Sequence, residues 1–324
     1  MRHATYTQLL RETLEAAMRH DPRIVLLGED IGAYGGAFGV TRGLLKEFGT
    51  ERVRDTPISE QALTGVAIGA AAAGLRPVVE IMFMDFVTLA ADQLINMAAK
   101  LNYIYGVACP LVVRLPTGGG RGYGATHSQS LERLFTGVPG LRVVAAATPQ
   151  DASGLLQTAL RENNPVLFLE HKLLYPVRAE LPEGLPPPVP FGRARIARAG
   201  TEITVVAWSG MVAQAERAAA ELAAQGVDVE VVDLRTLAPL DTASVVASVR
   251  KTGRVLLVEE GPRTGGFAAE IACRIFEEAY DCLDAPIRRL ASPDCPIPAG
   301  RTLEAACLPA AAALAAEIRA LLGR

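Results

Sequence analysis

Short apolar runs rich in Val, Ile and Leu alternate along this chain with stretches long enough for helices. Residues 7–20 carry Leu9, Leu10, Leu14, Ala17 and Met18 at helical spacing. Residues 23–28 then read as a short buried strand that runs into Glu29, Asp30 and a glycine-rich loop. The alternation continues with a helix near 43–48, a strand at 52–55, a glycine- and alanine-rich helix and a strand at 77–82. A long helix over 86–105 follows, then strands at 111–115, 142–147 and 165–170 and a helix at 149–162. Continuous apolar strands between helices predict a parallel sheet covered on both faces. Residues 180–190 are proline-rich and predict a stiff, extended linker. Beyond it a second alternation places strands at 203–208, 227–233, 255–259 and 287–290. Helices fall between these strands at 211–225, 241–251 and 266–280, with a last alanine-rich one near 310–322. The expected fold is therefore α/β with two domains, each a mostly parallel sheet flanked by helices. Their expected boundaries are 1–178 and 201–324, with 179–200 as linker.

Composition narrows the function classes. The chain has 324 residues, half of them apolar and 21% charged, with a formal net charge of −3. Such a balance suits a soluble enzyme and lacks the basic excess of a nucleic-acid binder. No apolar run approaches the ~18 residues of a membrane span, and the N-terminus lacks the apolar core of a signal segment. The five cysteines form no C-x-x-C pair, which fits reduced thiols in the cytoplasm.

The stretch Asp55-Thr56-Pro57-Ile58-Ser59-Glu60-Gln61 organises the first domain. Pro57 biases Thr56 toward extended backbone, ending a strand. Ser59 is a reasonable N-cap, and Glu60 falls in the first helical turn, where the helix dipole favours a carboxylate. That alone explains an acidic residue there. The helix it opens, however, is built almost wholly of Gly, Ala and small aliphatics, so its body is expected to be buried. A carboxylate at the mouth of a buried helix is a place for proton transfer. Gly65, Gly69 and Ala73 fit close helix packing, either inside the domain or at a subunit contact. His127, one of four histidines, follows the run from Gly118 to Thr126, whose glycines leave little bulk beside it. An imidazole there is either a structural loop residue or an acid–base group. The glycine run lacks the Lys-Ser/Thr ending of a phosphate-binding P-loop. Ile58, Met82 and Phe86 read locally as core residues, and Glu29 as a loop carboxylate.

The string from Asp55 to Glu60 with its Gly/Ala helix resembles the β subunits of the thiamine-diphosphate-dependent 2-oxo acid dehydrogenases. The resemblance extends through Gly28-Glu29-Asp30, Asp92-Gln93-Leu94-Ile95-Asn96, His127-Ser128-Gln129-Ser130, Thr148-Pro149-Gln150-Asp151-Ala152 and Asn163-Asn164-Pro165. It covers essentially the whole chain. It implies a transketolase-like pyrimidine-binding domain followed by a transketolase C-terminal domain used mainly for assembly. It implies that Glu60 hydrogen-bonds the cofactor's pyrimidine nitrogen and that His127 acts as acid or base toward the 2-oxo acid or acyl acceptor. Ile58, Met82 and Phe86 would wall the aminopyrimidine, and Glu29 would lie on a polar path between paired sites. Carbonyls of Leu111, Ala159, Leu160, Glu162 and Asn164 match a potassium site of the pyruvate-type members.

The Gly-Asp-Gly run that anchors magnesium and diphosphate in complete thiamine enzymes is missing. The resemblance therefore implies that an α subunit supplies that half, in a heterotetramer of two α and two β chains. The expected reaction is oxidative decarboxylation of a 2-oxo acid, with acyl transfer to lipoyl-lysine of an acyltransferase core. Pyruvate is favoured, acetoin is close behind and branched-chain 2-oxo acids come third. Phe86 and Leu89 depart from the tyrosine and glutamine common in branched-chain and pyruvate members respectively, which leaves the substrate open. The rival readings are a self-contained transketolase-like carboligase and a non-catalytic assembly subunit.

Overall fold

The computed structural model describes residues 1–323. They form two compact units, one made of Met1–Thr117 and Leu134–Phe191, the other of Gly118–Arg133 and the chain from Gly192 onward.

In chain order the first unit holds β1 (Arg2–Thr5), α1 (Tyr6–His20), β2 (Ile24–Gly28), α2 (Leu44–Phe48) and β3 (Val53–Asp55). Next come α3 (Glu60–Ala72), β4 (Arg76–Glu80), α4 (Ala99–Tyr105), β5 (Val112–Thr117) and the one-turn helix α5 (Arg133–Thr136). It closes with β6 (Arg142–Ala146), α6 (Pro149–Ala159), β7 (Val166–His171) and β8 (Arg178–Leu181). Six of these strands make a parallel sheet in the order β6-β7-β5-β4-β2-β3. Every residue of β2, β5 and β7 is buried, as expected where helices cover both faces. Helix α1 starts with a capping box between Thr5 and Gln8 and buries Leu9, Leu10, Leu14 and Met18. It lies against α6, where Thr13 Oγ1 and Ser153 Oγ are 2.7 Å apart. Helix α6 has Thr148 as its N-cap, accepting from Asp151 N, and Pro149 in its first turn. Tyr6, Leu10, Leu14, Val112, Val144, Leu155 and Phe168 belong to the resulting core.

The chain departs from the sequence reading in three places here. Residues 86–105 are helical throughout, as expected, but not uniformly α: Met84–Ala90 winds as a 3-10 segment, Gln93–Ala98 as a π-helical one, and α4 as a regular α-helix. Apolar spacing reports which face is buried and is blind to this change of winding. The terminal strand β1 pairs antiparallel with β8, although neither has an apolar run to announce it. Much of the proline-rich segment is not a free linker but is tied to α6. Gln157 Nε2 donates to Pro186 O (2.7 Å), Thr158 Oγ1 to Val189 O (2.7 Å), and Val189 N to Gly154 O (2.9 Å). A Cβ on Gly154 would lie 2.6 Å from Pro187 O, so glycine permits this approach. The division of the chain is also different: the loop 118–133 belongs to the second unit, and 179–191 to the first.

The second unit holds β9 (Arg195–Arg198), β10 (Ile203–Ala207), α7 (Gly210–Ala223), β11 (Val229–Asp233), β12 (Thr236–Ala238) and α8 (Thr242–Thr252). It continues with β13 (Val255–Pro262), α9 (Phe267–Ala279), β14 (Arg288–Ser292), α10 (Arg301–Cys307) and α11 (Ala311–Leu322). Its sheet runs β14-β13-β10-β11-β9, parallel except for the edge strand β9. The span Arg301–Leu322 is apolar enough, at a mean hydropathy of 1.6, to meet a membrane-helix criterion by length and composition. It is, however, two helices separated around Pro309, and α11 buries Leu314, Ala315 and Ile318 against its own domain.

One buried carboxyl in this unit makes stability depend on pH. Burial, reinforced by the charge of Glu132, pushes Glu259 up from about 4.5 to about 7. Phe267 N and Ala268 N at the start of α9 donate to it and oppose the rise without cancelling it. The folded state thus holds a proton that the unfolded chain releases near pH 4.5. Glu259's contribution to stability is full below that pH and is lost as pH rises through about 7. Glu259→Gln is therefore expected to raise the thermal midpoint at pH 8 while leaving it nearly unchanged at pH 4.5. Midpoint-against-pH curves that stay parallel for the two proteins would refute this.

Candidate functional site

The predicted first-unit site residues gather at the carboxyl ends of three neighbouring strands, where open parallel sheets commonly bind ligands. Glu29 follows β2, the 56–60 stretch follows β3, and Met82 and Phe86 follow β4; these strands adjoin in the order β4-β2-β3. Thr56 N donates to Gly28 O (2.9 Å), carrying the pairing of β2 with β3 one residue past the strand. Asp55 Oδ1 accepts from Gly32 N at 2.7 Å, where a Cβ would lie only 2.4 Å from Oδ2. The glycine loop is thereby held against the turn.

Glu60 opens α3 and is 6% exposed. Ser59 stands at the N-cap position, but its side chain makes no capping bond. Its backbone N–H instead donates to the Glu29 carboxyl. Glu29 is raised above the ordinary glutamate range first by burial and then by the charge of Glu60, with the Ser59 N–H opposing. Glu29 Oε1 is buried without a hydrogen-bond partner. Two carboxyls therefore sit close enough to feel each other.

Glu60 lines an open cleft of about 700 Å³ with Ile58, Val66, Leu89 and Gln93. Ile58, 84% exposed, contributes an apolar wall to open space rather than to a core. Met82 and Phe86 are half-buried and are not among the cleft's lining residues; Phe86 instead meets Phe83 edge-on, with ring centroids 6.1 Å apart. Val66 and Gln93 were not singled out from the sequence, although Gln93 stands in the Asp92–Asn96 string. Gly65 explains how Gln93 gets there: a Cβ at Gly65 would be 3.2 Å from Gln93 Oε1. Gly65 thus serves packing inside the unit, whereas Gly69 has nothing within 4 Å and Ala73 is exposed.

A buried carboxyl, an unpartnered carboxylate oxygen and apolar walls suit a flat heteroaromatic ring with a basic nitrogen and an exocyclic amine, as in the aminopyrimidine of thiamine diphosphate. Among the described residues, no group of three or more His, Cys, Asp or Glu is arranged to hold a metal ion.

His127 lies in the second unit's loop. It is half-buried; its Nδ1 lies 3.0 Å from Thr126 Oγ1, and its N–H donates to Gly124 O (3.2 Å). Gly122 takes φ +75°, and a Cβ at Gly119 would lie 2.9 Å from Leu308 Cδ1.

Of the five residues matched to a potassium site, two already give their carbonyl oxygens to a cation, Arg76. Leu160 O accepts from Arg76 Nε (2.9 Å) and Glu162 O from Arg76 Nη2 (2.5 Å), while Leu111 O accepts from Val166 N (2.8 Å). Ala159 O accepts from Glu162 N (3.2 Å), and Asn164 donates through its backbone and side chain to Glu162 Oε1.

Residues 2–178 match the family "Transketolase, pyrimidine binding domain" and 192–314 "Transketolase, C-terminal domain". The chain is 44% identical to the acetoin:2,6-dichlorophenolindophenol oxidoreductase subunit beta of Cupriavidus necator, covering 96% of this chain and 95% of that protein. It is also 44% identical to the pyruvate dehydrogenase E1 component subunit beta of Rickettsia felis (94% of each) and of Rhizobium meliloti (98% and 69%). A solved structure described as "Split gene transketolase, inactive beta4 tetramer" superposes with a TM-score of 0.79 at 23% identity, covering 98% of each chain. The chain is a member of the transketolase-like family that contains the pyruvate dehydrogenase E1 and acetoin oxidoreductase β subunits.

Proposed function

We propose that this chain is the β subunit of the thiamine-diphosphate-dependent decarboxylase component of a 2-oxo acid dehydrogenase complex. It works with an α subunit in a heterotetramer of two α and two β chains and passes an acyl group to lipoyl-lysine of an acyltransferase core. The observation that carries this reading is Glu60, a buried carboxyl at the first turn of a Gly/Ala helix, facing an open apolar cleft. When bound, thiamine diphosphate supplies the nucleophilic carbon and the electron sink that decarboxylation of a 2-oxo acid requires. Glu60 holds and returns a proton at the pyrimidine nitrogen, a task that needs a side chain able both to donate and to accept. Ile58 offers an apolar wall to the ring, Met82 and Phe86 follow the neighbouring strand β4, and Glu29 sets the local charge beside Glu60. His127 serves as acid or base toward the 2-oxo acid or the acyl acceptor. The α subunit holds magnesium and the diphosphate, since this chain lacks the Gly-Asp-Gly run. Potassium, in this reading, shares the Leu160 and Glu162 carbonyls with Arg76. The five free cysteines suit the reducing cytoplasm.

Pyruvate is the favoured substrate. Acetoin is the second reading, because the Cupriavidus relative is as similar as the pyruvate dehydrogenase ones. Co-expression with the α subunit, followed by dye reduction with thiamine diphosphate and magnesium, tests both. Activity is expected only in the mixed complex, with kcat/KM highest for pyruvate among pyruvate, acetoin and 3-methyl-2-oxobutanoate. A stable mixed complex inert toward all three would favour the non-catalytic assembly role, and turnover by the β chain alone would overturn the shared site.

A further inference from the structure

Glu304, in the first turn of α10, is 1% exposed. Its carboxylate accepts from Gly120 N at 2.9 Å through Oε1 and from Gly122 N at 2.6 Å through Oε2, and Ser128 Oγ lies 3.5 Å from Oε1. These donors stand on both sides of His127 in the chain. Gly119 leaves the space for this approach, since a Cβ there would be 3.1 Å from Glu304 Oε1. A second buried carboxylate, Glu260, accepts from Gly119 N (2.6 Å), with Ser130 Oγ at 3.5 Å from the same oxygen. A glycine-rich loop has little side-chain packing of its own, so its conformation rests on such outside acceptors.

We propose that Glu304 is a positioning residue for His127. Its carboxylate clamps the loop ahead of the histidine and the serine after it, so that the imidazole is presented in one orientation. The chemistry requires a carboxylate at this position. An ionised carboxylate has acceptor capacity for three donors, whereas an amide would turn an NH2 toward a backbone N–H. The inference rests on the reading of His127 as an acid–base group in the decarboxylase reaction.

The test is a double-mutant cycle in the assembled complex with the α subunit, using Glu304→Gln, Glu304→Asp and His127→Ala. Turnover is measured per intact complex, alongside the thermal midpoint and the pH profile of kcat. Glu304→Gln is expected to lower kcat by on the order of tenfold to a hundredfold, the scale of a misplaced catalytic group. It should leave KM for the 2-oxo acid within about twofold and change the His127-dependent limb of the profile. Glu304→Asp, one methylene shorter but charged, should recover part of the loss. In a His127→Ala background, Glu304→Gln should cost nothing further, because the two act as a unit. Equal fractional losses with and without His127 would overturn the proposal, as would a loss matched by the fall in folded complex alone. If Glu304→Gln does not assemble, the Asp variant decides, through an altered pH profile or an unaltered one. His127→Ala with full activity would instead overturn the assignment of His127, a different failure.

Discussion

Glu60→Gln is expected to lower kcat of the assembled enzyme by about 10²–10⁴-fold, the range that a positioned acid–base group supplies. The substitution keeps shape and volume at a site that is 6% exposed, so α3 should form as before and the thermal midpoint should change little. What is lost is a proton that can be given and taken back, because an amide can only donate from nitrogen and accept at oxygen. Glu29 cannot take over. It lies on the loop after β2 rather than at the first turn of α3, so its carboxyl does not occupy the position of Glu60. Steady-state dye reduction with saturating thiamine diphosphate and magnesium measures the effect, and binding of the cofactor, followed by quenching of protein fluorescence, separates affinity from turnover. Wild-type kcat in Glu60→Gln, with the complex intact, would remove Glu60 from the chemistry and with it the main support for the proposed function.

Much of this organisation was legible before any coordinates. Strands such as 23–28 and 165–170 announce themselves because a parallel strand covered on both faces is an unbroken apolar run. The turn at Asp55–Glu60 was legible because Pro57 restricts its neighbour and the following Gly/Ala helix has a composition of its own. What escaped had no local signal. The terminal strand β1 takes its conformation from β8, some 170 residues later, and a mostly polar tetrapeptide carries no trace of that pairing. The loop holding His127 shows only its glycines in the sequence, and two buried glutamates hold it, Glu260 and Glu304, more than 130 residues downstream. Either glutamate, met in sequence, is an ordinary charged residue. Met82 ends the predicted strand and Phe86 follows it, but which side chains line the cleft depends on the 3-10 and π winding of 84–98, and this brings Leu89 and Gln93 to its wall.

Arg114→Ala should destabilise the first unit as much as emptying one of its large core side chains. The guanidinium is 1% exposed on β5. Its Nε and Nη2 donate to the two oxygens of Glu170 at 2.7 Å each, and its Nη1 donates to Glu80. Tyr175 OH completes the group by donating to Glu170 Oε2 at 2.8 Å. Burial acts against the charge on Arg114, but Glu170 and then Glu80 outweigh it and keep the guanidinium protonated. Burial likewise raises Glu80, and Arg114 opposes that rise. Removing the cation leaves two carboxyls buried with nothing to balance them. Breaking a buried pair in this way costs about 3–5 kcal/mol, equivalent to a fall in thermal midpoint on the order of 10 °C for a unit of this size. Arg114→Lys keeps the charge but loses the planar fork that meets both oxygens of Glu170, so its loss should be intermediate. Arg114→Met combined with Glu80→Gln and Glu170→Gln removes the charges together and should recover much of the stability lost in Arg114→Ala, because the penalty lies in the unpaired carboxyls rather than in the missing contacts. A melt of Arg114→Ala that coincides with wild type would mean that water or a rearranged neighbour satisfies both glutamates. A triple variant no better than Arg114→Ala would mean that geometry, rather than charge, ties β4, β5 and β7 together at this end of the sheet.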